Sequence, residues 1–557
     1  MVRRVLNIVY REIRGLHQAA YVLACFTFGS QLLALVRDRM LAHEFGAGAT
    51  LDIYYAAFRI PDLLFVLFAS TLSVYVLIPF VARSLQGDNE RYGRDLLAQI
   101  FSVFLVGYSS IALLMIVAAP WILPVMFPGI ADTESLVTLV RILLIQPLFL
   151  GISSLFGVVT QLGHRFVLYA ISPLIYNVGI IFGIVALYPI FGMSGLGYGV
   201  VLGAFGHMLV QVPFVRTSSM RFYFTLTVSR EALSEVFTVS IPRAVTLSLN
   251  QFVLLVLASF ASVMAVGSVA VFQFAYNLHS VPLAVIGASY SVAAFPVLSE
   301  LYARSELEKF RAHLLTALRH IIFWSVPVIT LAIVLRAQVV RVVLGSGAFD
   351  WDDTRLTAAV LAVLMLALVA HGINLLLVRV FYAAGYTRIP FYITLVGAVA
   401  AVVGTIILDV VYRANPAIAD ALADTMRLTR VGGTEVLILG IAYTTSIILQ
   451  SFLLLWFIRR TFELHLRPLA RPFLNAIIAA LAGGLSAYIA LNFLVAGINP
   501  ETFIGIFLQG FLAGLVGLVG TILAYIGVQA TELREIHASF RRRLFKTDVV
   551  APQQDIL

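Results

Sequence analysis

The chain has 557 residues, of which 61% are hydrophobic and 12% charged, and its mean hydropathy is +0.99. A soluble core does not need so much apolar sequence, whereas a bundle of membrane-spanning helices does, so composition excludes a soluble globular protein. The formal net charge is +9. No basic segment with interleaved aromatic residues occurs, so we expect no nucleic-acid partner. The one cysteine, Cys25, excludes disulfides and thiolate metal sites, and we expect no metal.

In chain order, the apolar runs predict about fourteen spans, since a helix of about 20 residues crosses the hydrocarbon core. The predicted spans cover residues 17–42, 52–82, 96–123, 135–162, 166–189, 193–215, 236–264, 268–299, 314–342, 355–384, 389–412, 433–458, 470–495 and 502–529. Proline and glycine inside several spans are tolerated only where neighbouring helices or a cavity satisfy the freed backbone groups. The predicted fold class is therefore an all-α polytopic membrane protein.

Positive charge is concentrated in every second connection. It occurs before the first span and after the even-numbered spans, at Arg3, Arg4, Arg11, Arg14, Arg83, Arg91, Arg94, Arg165, Arg216, Arg221, Arg230, Arg304, Lys309, Arg311, Arg388, Arg459, Arg460 and Arg467. The intervening connections are neutral or acidic, apart from 413–433, which carries both signs. The positive-inside rule then predicts that both termini lie in the cytoplasm.

A weak internal repeat divides the chain. Ala82-Arg83-Ser84 follows span two as Ala303-Arg304-Ser305 follows span eight, and Pro61 and Pro282 stand at the same offset before them. Two repeats with an even number of helices have the same orientation, so an axis along the membrane normal relates them. We predict an N-lobe of six spans, a C-lobe of six spans, two further helices and a basic cytoplasmic tail, at residues 1–231, 232–465, 466–530 and 531–557.

The first two spans carry charges that a lipid-facing helix does not carry: Arg37, Asp38, Arg39, Asp52 and Arg59. Because a charge at membrane depth costs about 2.5–3.5 kcal/mol, such groups face a cavity or one another. We interpret Arg37 and Asp52 as cavity residues and leave open whether Asp38 and Arg39 only mark a helix end. Gly46 and Gly48 form the predicted turn, and together with Pro61 and Pro282 they are the predicted gating or structural residues.

Three segments resemble one family. They are LVRDRMLAHEFGAGATLDIYYAAFRIPDLL in the first two spans, the stretch Ile241–Glu300, and VRVFYAAGYTRIP at Val378–Pro390. They are similar to the MurJ (MviN) lipid II flippases of the multidrug/oligosaccharidyl-lipid/polysaccharide exporter superfamily. The resemblance implies movement of undecaprenyl-pyrophosphate-linked peptidoglycan precursor across the bacterial cytoplasmic membrane by alternating access. It also implies that the last two helices form a groove for the lipid tail, and that cell-wall synthesis proteins are possible partners.

Arg37 and Asp52 match the family pattern, but the predicted cavity carries fewer arginines than the family's best-known version. The departures are Gln31 in place of an arginine, Phe65 and Ser70 in place of an arginine and a glutamate, and Tyr276 and Asn277 in place of an Asp-Arg pair.

A pyrophosphate head group needs fixed positive charge, and arginine pairs with phosphate through two parallel hydrogen bonds. The predicted substrate-binding residues are Arg37, Asp52, Arg243, Gln31, Gln251 and Asn277, on spans one, two, seven and eight. Arg37 is the leading candidate for the contact with the pyrophosphate. Arg243 either adds positive charge to the cavity or extends to the cytoplasmic headgroups. Asp52 either holds an arginine in the unloaded state or caps a helix. The side-chain amides of Gln31, Gln251 and Asn277 either bind the sugar and peptide of the substrate or form hydrogen bonds between helices.

Other functions stay open at this point. They are export of another lipid-linked glycan of the teichoic acid, O-antigen or capsule type, glycan polymerisation, a cell-wall scaffold docking through Arg541–Lys546, and drug antiport. A polymerase needs an acidic catalytic residue in a large outward loop, and the long connection 413–433 carries no motif. No nucleotide-binding signature occurs. We therefore expect a transporter rather than an enzyme, driven by a coupling ion or by the membrane potential.

Overall fold

A computed structural model describes residues 16–69, 90–218, 222–225, 227, 230–499 and 502–535. These residues form α-helices and short helical turns, and this part of the chain contains no β-strand, which confirms the all-α class. The helices are α1 Leu16–Phe45, α2 Ala49–Ala57, α3 Arg59–Ala69, α4 Glu90–Met126, α5 Thr133–Leu143, α6 Gln146–Leu162, α7 Phe166–Phe182, α8 Tyr188–Phe191, α9 Met193–Leu209, α10 Val212–Thr217, α11 Arg230–Ser262, α12 Ser268–Pro282, α13 Ser289–Ala303, α14 Leu307–Val334, α15 Arg336–Val343, α16 Trp351–Met365, α17 Leu368–Ala383, α18 Arg388–Ala414, α19 Pro416–Met426, α20 Val436–Thr461, α21 Ala470–Ile489 and α22 Phe503–Gly527.

Several predicted spans are interrupted. The second span is broken at Phe58 into α2 and α3, and π-helical turns at Gly183–Leu187, Leu283–Ala288 and Ala490–Leu494 interrupt three others. Such turns leave backbone carbonyls outside the regular ladder, and they occur often at functional sites.

Among the described residues, eleven helices are long and apolar enough to cross a membrane, or twelve if α16 and α17, bent by 48°, form one span. These twelve coincide with predicted spans three to fourteen. Span one corresponds to α1, and span two begins as α2 and α3 before it enters residues 70–89, which lie outside the described part. The number fourteen therefore stays a prediction.

By its internal contacts the chain forms two compact units, and the first contains Met1–Val281, Val340–Leu364 and Tyr386–Gln450. In this unit α7 packs between α1 and α9, and α11 packs against α3 and α18. One apolar cluster of this unit joins α4 and α6 through Phe104, Tyr108, Leu155 and Val158, all at most 3% exposed.

The second unit contains Pro282–Val339, Met365–Gly385 and Ser451–Leu557. Here α21 packs against α22 and α14. Tyr525 stacks on Phe323 with ring centroids 4.2 Å apart and donates its hydroxyl to the Phe323 carbonyl. Nearby, Arg319 pairs with Glu532 at 2.8 Å, which ties the residues after α22 to α14. The predicted lobes at 1–231 and 232–465, the helix pair at 466–530 and the tail at 531–557 stay predictions.

Candidate functional site

The turn between α1 and α2 requires glycine at one of its two predicted positions. Gly46 has φ +59, and a β-carbon there would lie 2.6 Å from the carbonyl oxygen of Ala348. Gly48 has φ −123, an extended conformation that any residue adopts. The turn thus depends on Gly46, both for its left-handed backbone and for the close approach of Ala348.

The break at Phe58 places charged side chains at the start of α3. Arg59 and Asp62 lie three residues apart in the first turn of α3, and so they share one face of the helix. Pro61 lies between them, at a position where a missing N–H leaves no intrahelical hydrogen bond unmade. It therefore shapes the beginning of a helix rather than a kink inside one.

This face of α3 borders a cavity of about 190 Å³ within the first unit. The cavity is also bordered by α1, α2, α7 and α12, and its lining residues are Arg37, Tyr54, Tyr55, Phe58, Arg59, Asp62, Tyr176, Ile180, Gln273 and Asn277. The sequence predicts a lining from spans one, two, seven and eight. Spans one, two and eight contribute, no described side chain of span seven does, and span five contributes through Tyr176 and Ile180, which the sequence did not indicate.

A continuous set of hydrogen bonds connects the two arginines of the cavity. Arg37 donates from Nε and Nη2 to Oδ1 of Asp38, at 2.9 and 2.7 Å, and Asn277 donates to Oδ2 of the same carboxylate at 2.9 Å. Gln273 donates to Asn277 at 2.6 Å and accepts from Arg59. Asp38, 3% exposed, is thus a buried counterion of Arg37 rather than a marker of the headgroup region.

Arg59 differs from Arg37 because, among the described residues, no carboxylate oxygen lies within 4.0 Å of its guanidinium. Its side chain is buried, at 5% exposed, its Nη2 donates to the neutral amide of Gln273, and its Nε makes no hydrogen bond in the described part of the chain. The hydroxyl of Tyr55 is also buried without a hydrogen bond. A buried cation and a buried donor with unused hydrogen-bonding capacity border one cavity, which is the arrangement expected of an anion site.

Asp52 makes no ion pair with an arginine among the described residues. Its carboxylate accepts hydrogen bonds from the backbone N–H groups of Gly267 at 2.6 Å and Ala270 at 2.9 Å, at the N-terminus of α12. The expectation that Asp52 holds an arginine is therefore not met, since Asp38 takes that place beside Arg37. Asp52 caps α12 instead, where its carboxylate accepts from two N–H groups at the start of the helix, an end at which negative charge is stabilising.

Gln31 and Gln251 do not line the cavity. Gln31 is exposed on α1, Gln251 is half-buried on α11, and Arg243 lies on α11 with its side chain outside the described part. Arg39, on the same helix as Arg37, donates to the Val342 carbonyl at 2.6 Å. Pro282 ends α12 and leads into the π-helical turn Leu283–Ala288. The substrate contacts of all these residues stay predictions.

Sequence reasoning named Arg59 without assigning it to the site, and it missed Asp62, Gln273 and the tyrosines. One signal was present in the segment after Gly46 and Gly48. Arg59 and Asp62 are three residues apart there, a spacing that places two side chains on the same face of a helix. Tyr176 and Gln273 carry no such signal, because an apolar helix with one tyrosine or one glutamine is common in buried bundles.

The arrangement can bind an anion through guanidinium and phenol donors. The described residues contain no group of three or more histidine, cysteine, aspartate or glutamate side chains that could hold a metal ion.

Comparison with known proteins identifies relatives over most of the chain. The family model described as "Lipid II flippase MurJ" matches residues 41–508. A protein of Rhizobium tropici named "Probable lipid II flippase MurJ" is 25% identical over 412 residues, which cover 71% of this chain and 76% of that protein. "Lipid II flippase MurJ" of Burkholderia cenocepacia is 24% identical over 391 residues, with coverage of 68% and 76%.

Solved structures show the same fold. The structure titled "Lipid II flippase MurJ, inward closed conformation" superposes with a TM-score of 0.70 and 20% identity, covering 94% of this chain and all of that chain. An inward-facing multidrug resistance MATE family transporter of the MOP superfamily superposes with a TM-score of 0.63 and 15% identity, covering 78% of this chain and 94% of that one.

Proposed function

Because the chain belongs to the lipid II flippase MurJ family, we propose that it moves lipid II from the inner to the outer leaflet of the bacterial cytoplasmic membrane. The family and the many apolar helices make it a multi-pass inner-membrane protein. Lipid II carries a polyanionic pyrophosphate between its prenyl chain and its sugars. A carrier must therefore offer that group fixed positive charge inside the bilayer.

The observation that carries this proposal is the buried guanidinium of Arg59 on the cavity wall, with no carboxylate partner among the described residues. Phosphate supplies what this group lacks, a charged acceptor for two parallel N–H donors. Arg37 is a second donor, because a phosphate can replace the Asp38 carboxylate beside it. Asn277 and Gln273 connect Asp38 to Arg59 through hydrogen bonds, so these bonds can rearrange when a phosphate replaces the Asp38 carboxylate.

Transport by alternating access requires one set of contacts to separate while another forms. The turn 43–52 supplies a set of this kind. Asp353 accepts from the Ala47 N–H at 3.0 Å, Ala348 donates to the His43 carbonyl at 2.8 Å, and Asp52 binds the start of α12. By the predicted orientation this turn lies on the outer side, so release of the head group to the outer leaflet requires these contacts to open.

The remaining features of the proposal are its orientation and its drive. Both termini lie in the cytoplasm, as the arginine distribution favours. The protein is a secondary-type transporter without catalytic residues, and it draws on a coupling ion or on the membrane potential, which is worth about 2.3 kcal/mol per charge per 100 mV. Its partners are lipid II, membrane lipids and proteins of cell-wall synthesis. Export of another lipid-linked glycan, drug antiport and a scaffold role are not favoured by the family match.

The test is complementation of a strain depleted of its own lipid II flippase, with lipid II measured in the outer leaflet. Wild-type protein restores outer-leaflet lipid II. Arg37→Ala and Arg59→Ala abolish it at equal membrane abundance, because each removes a donor to the pyrophosphate. Arg304→Ala is the matched control, since this arginine is 65% exposed and pairs with Glu300 on the surface.

Two results contradict the proposal in different ways. If wild-type protein inserts and folds but leaves lipid II on the inner side, lipid II is not the cargo. If Arg37→Ala, Arg59→Ala and Arg304→Ala all retain wild-type activity, the cavity is not the head-group site.

A further inference from the structure

We propose that Asp62 takes up a proton when the head group enters the cavity and gives it back when the head group leaves. This inference rests on the proposed function and assigns the proton site of the cycle. It follows from the charges that border the cavity.

Among the described residues, the charged groups of the cavity and of its hydrogen-bonded neighbours are two arginines and two aspartates. Asp38 is committed to Arg37 through two hydrogen bonds and is nearly inaccessible. The second carboxylate, Asp62, lines the cavity itself. The unloaded site thus has no excess of positive charge with which to attract a polyanion.

Asp62 has neither a hydrogen bond to its side chain nor an ion pair within 4.0 Å among the described residues. Arg59 lies three residues earlier on the same face of α3, so a phosphate that reaches Arg59 comes close to the Asp62 carboxylate. Two like charges in a site of low dielectric repel strongly. Neutralising Asp62 removes this repulsion and leaves the cavity with net positive charge.

We compare the groups around Asp62 helix by helix, and the Asp62 carboxylate is the one that takes up the proton. Arg59 acts on it from α3, Tyr54 from α2, Tyr176 from α7, and Arg37 lies across the cavity on α1. Helix α12 contributes the amides of Gln273 and Asn277, and α6 contains no titratable residue. Helix α5, which also packs against α3, carries Glu134 and Arg141, and both are exposed. The titratable residues of α11 have side chains outside the described part.

A proton fits this place better than a metal cation. A sodium or calcium ion needs several oxygen ligands, and the described residues contain no group of three or more histidine, cysteine, aspartate or glutamate side chains that could hold a metal ion. A metal cation beside Asp62 would also be repelled by Arg59. A proton needs no coordination shell, and the neutral carboxyl group gains an O–H donor.

The exchange is balanced in protons. On loading, a proton from water forms the O–H bond of Asp62, and this group can donate a hydrogen bond to a phosphate oxygen. On release, the O–H bond breaks and the proton returns to water. One proton is therefore taken up for each head group bound.

The experiment is titration calorimetry of the full-length protein in detergent with purified lipid II, from about pH 5.5 to about pH 8.5. At each pH, buffers of different ionisation enthalpy report the number of protons taken up. We expect wild-type protein to take up about one proton and to lose affinity about tenfold per pH unit over the range in which Asp62 must gain that proton. Asp62→Asn, which mimics the neutral carboxyl, should bind with a pH-independent affinity and no such uptake.

The matched control is Asp132→Asn, an exposed helix cap outside the cavity that accepts from the Ser135 N–H at 3.0 Å. It should keep the wild-type pH profile. The proposal is overturned, with the flippase function intact, if wild-type protein binds lipid II without proton uptake, a measurement that needs no variant. It is also overturned if Asp62→Asn retains the wild-type uptake. Absence of lipid II binding by all three proteins at every pH overturns the proposed function itself.

Discussion

Two arginines of one cavity occupy opposite electrostatic settings. Arg37 has a carboxylate 2.7 Å away, and Arg59 has a neutral amide as its hydrogen-bond partner. Removing one member of a buried ion pair leaves the other charge uncompensated, whereas removing a buried charge without a counterion relieves a desolvation penalty. Substitutions of Arg37 and Arg59 should therefore distinguish an effect on the stability of the protein from an effect on substrate binding.

The substitution Arg37→Met should destabilise the protein by about 3–5 kcal/mol, because Asp38 stays buried and keeps only Asn277 as a partner. Thermal unfolding in detergent, followed by tryptophan fluorescence, measures the effect as a lower midpoint. The double variant Arg37→Met with Asp38→Asn should recover most of the loss. A single variant as stable as wild-type protein would show that the pair contributes nothing.

The substitution Arg59→Met should lower the unfolding midpoint less than Arg37→Met, since Arg59 makes no ion pair within 4.0 Å among the described residues and is replaced by an apolar side chain of similar length. Lipid II binding should weaken by about 1.5–3 kcal/mol, or about ten- to a hundredfold, the range for a lost hydrogen bond to a charged group. Calorimetry checks the binding, with Arg304→Met as the exposed control. A variant that binds normally would remove Arg59 from the site.

At this scale the sequence predicts some cavity residues and not others. Arg37 is predictable because a charge within an apolar run is costly at membrane depth and therefore faces a cavity or a charged partner. Asp38 is not, because the same residue at a helix end would face water, and only its buried contact with Asn277 decides between the two. Asp52 shows the converse. Its place in the site is predicted, but its partner is the N-terminus of α12, which is distant in sequence and which no local pattern reveals.

Among the elements, the α1–α2 turn and the start of α12 meet through glycine. Gly267 has φ +92, and a β-carbon there would lie 1.9 Å from the carbonyl oxygen of Ala47. These backbones approach each other more closely than any side chain permits, so the contact depends on residue size as well as on hydrogen bonds.

The substitution Gly46→Ala should therefore destabilise the turn by more than the roughly 1–2 kcal/mol of a left-handed alanine, because its β-carbon also meets Ala348. Gly48→Ala is the matched variant, with an ordinary backbone and a β-carbon that would lie 3.3 Å from the carbonyl oxygen of Phe45. Unfolding midpoints should fall clearly for the first variant and by little for the second. Equal midpoints would argue against a special role of Gly46.

The Asp52 cap predicts a local effect on α12. Asp52→Ala removes the acceptor of two backbone N–H groups and should cost about 1–2 kcal/mol, as lost caps do. Hydrogen exchange should accelerate at Gly267 and Ala270, and Asp52→Asn, which keeps one acceptor oxygen, should lie between. Unchanged exchange at both amides would contradict the cap.

Helices as such are predictable because 20-residue apolar runs have few alternatives in a membrane. Their interruptions are not. The break at Phe58 and the 48° bend between α16 and α17 depend on packing against neighbouring helices, and the hydropathy of these segments is continuous across them. Phe58 and Arg59, at the first of these breaks, line the cavity, and a prediction from continuous spans does not single out the start of α3.

For the whole molecule, alternating access makes a prediction about which contacts must open. The Ala47 N–H and the Asp353 carboxylate are 3.0 Å apart, across the contact that closes the turn 43–52. Cysteines at Ala47 and Asp353, in a background with Cys25→Ser, can be joined by a short reducible bis-methanethiosulfonate. If this contact opens in each cycle, the cross-link should reduce outer-leaflet lipid II to background, and reduction should restore it.

The control pair lies on two helices of the predicted C-lobe, which move together if the lobes are rigid. A β-carbon at Gly404, on α18, would lie 3.8 Å from that of Ala442, on α20, a separation that suits a disulfide. Gly404→Cys with Ala442→Cys should therefore form a disulfide and leave flipping intact. If this pair also blocks flipping, the six-helix C-lobe is not a rigid body. If the Ala47–Asp353 cross-link leaves flipping intact, the turn 43–52 is a permanent contact, and the moving parts of the cycle lie elsewhere in the chain.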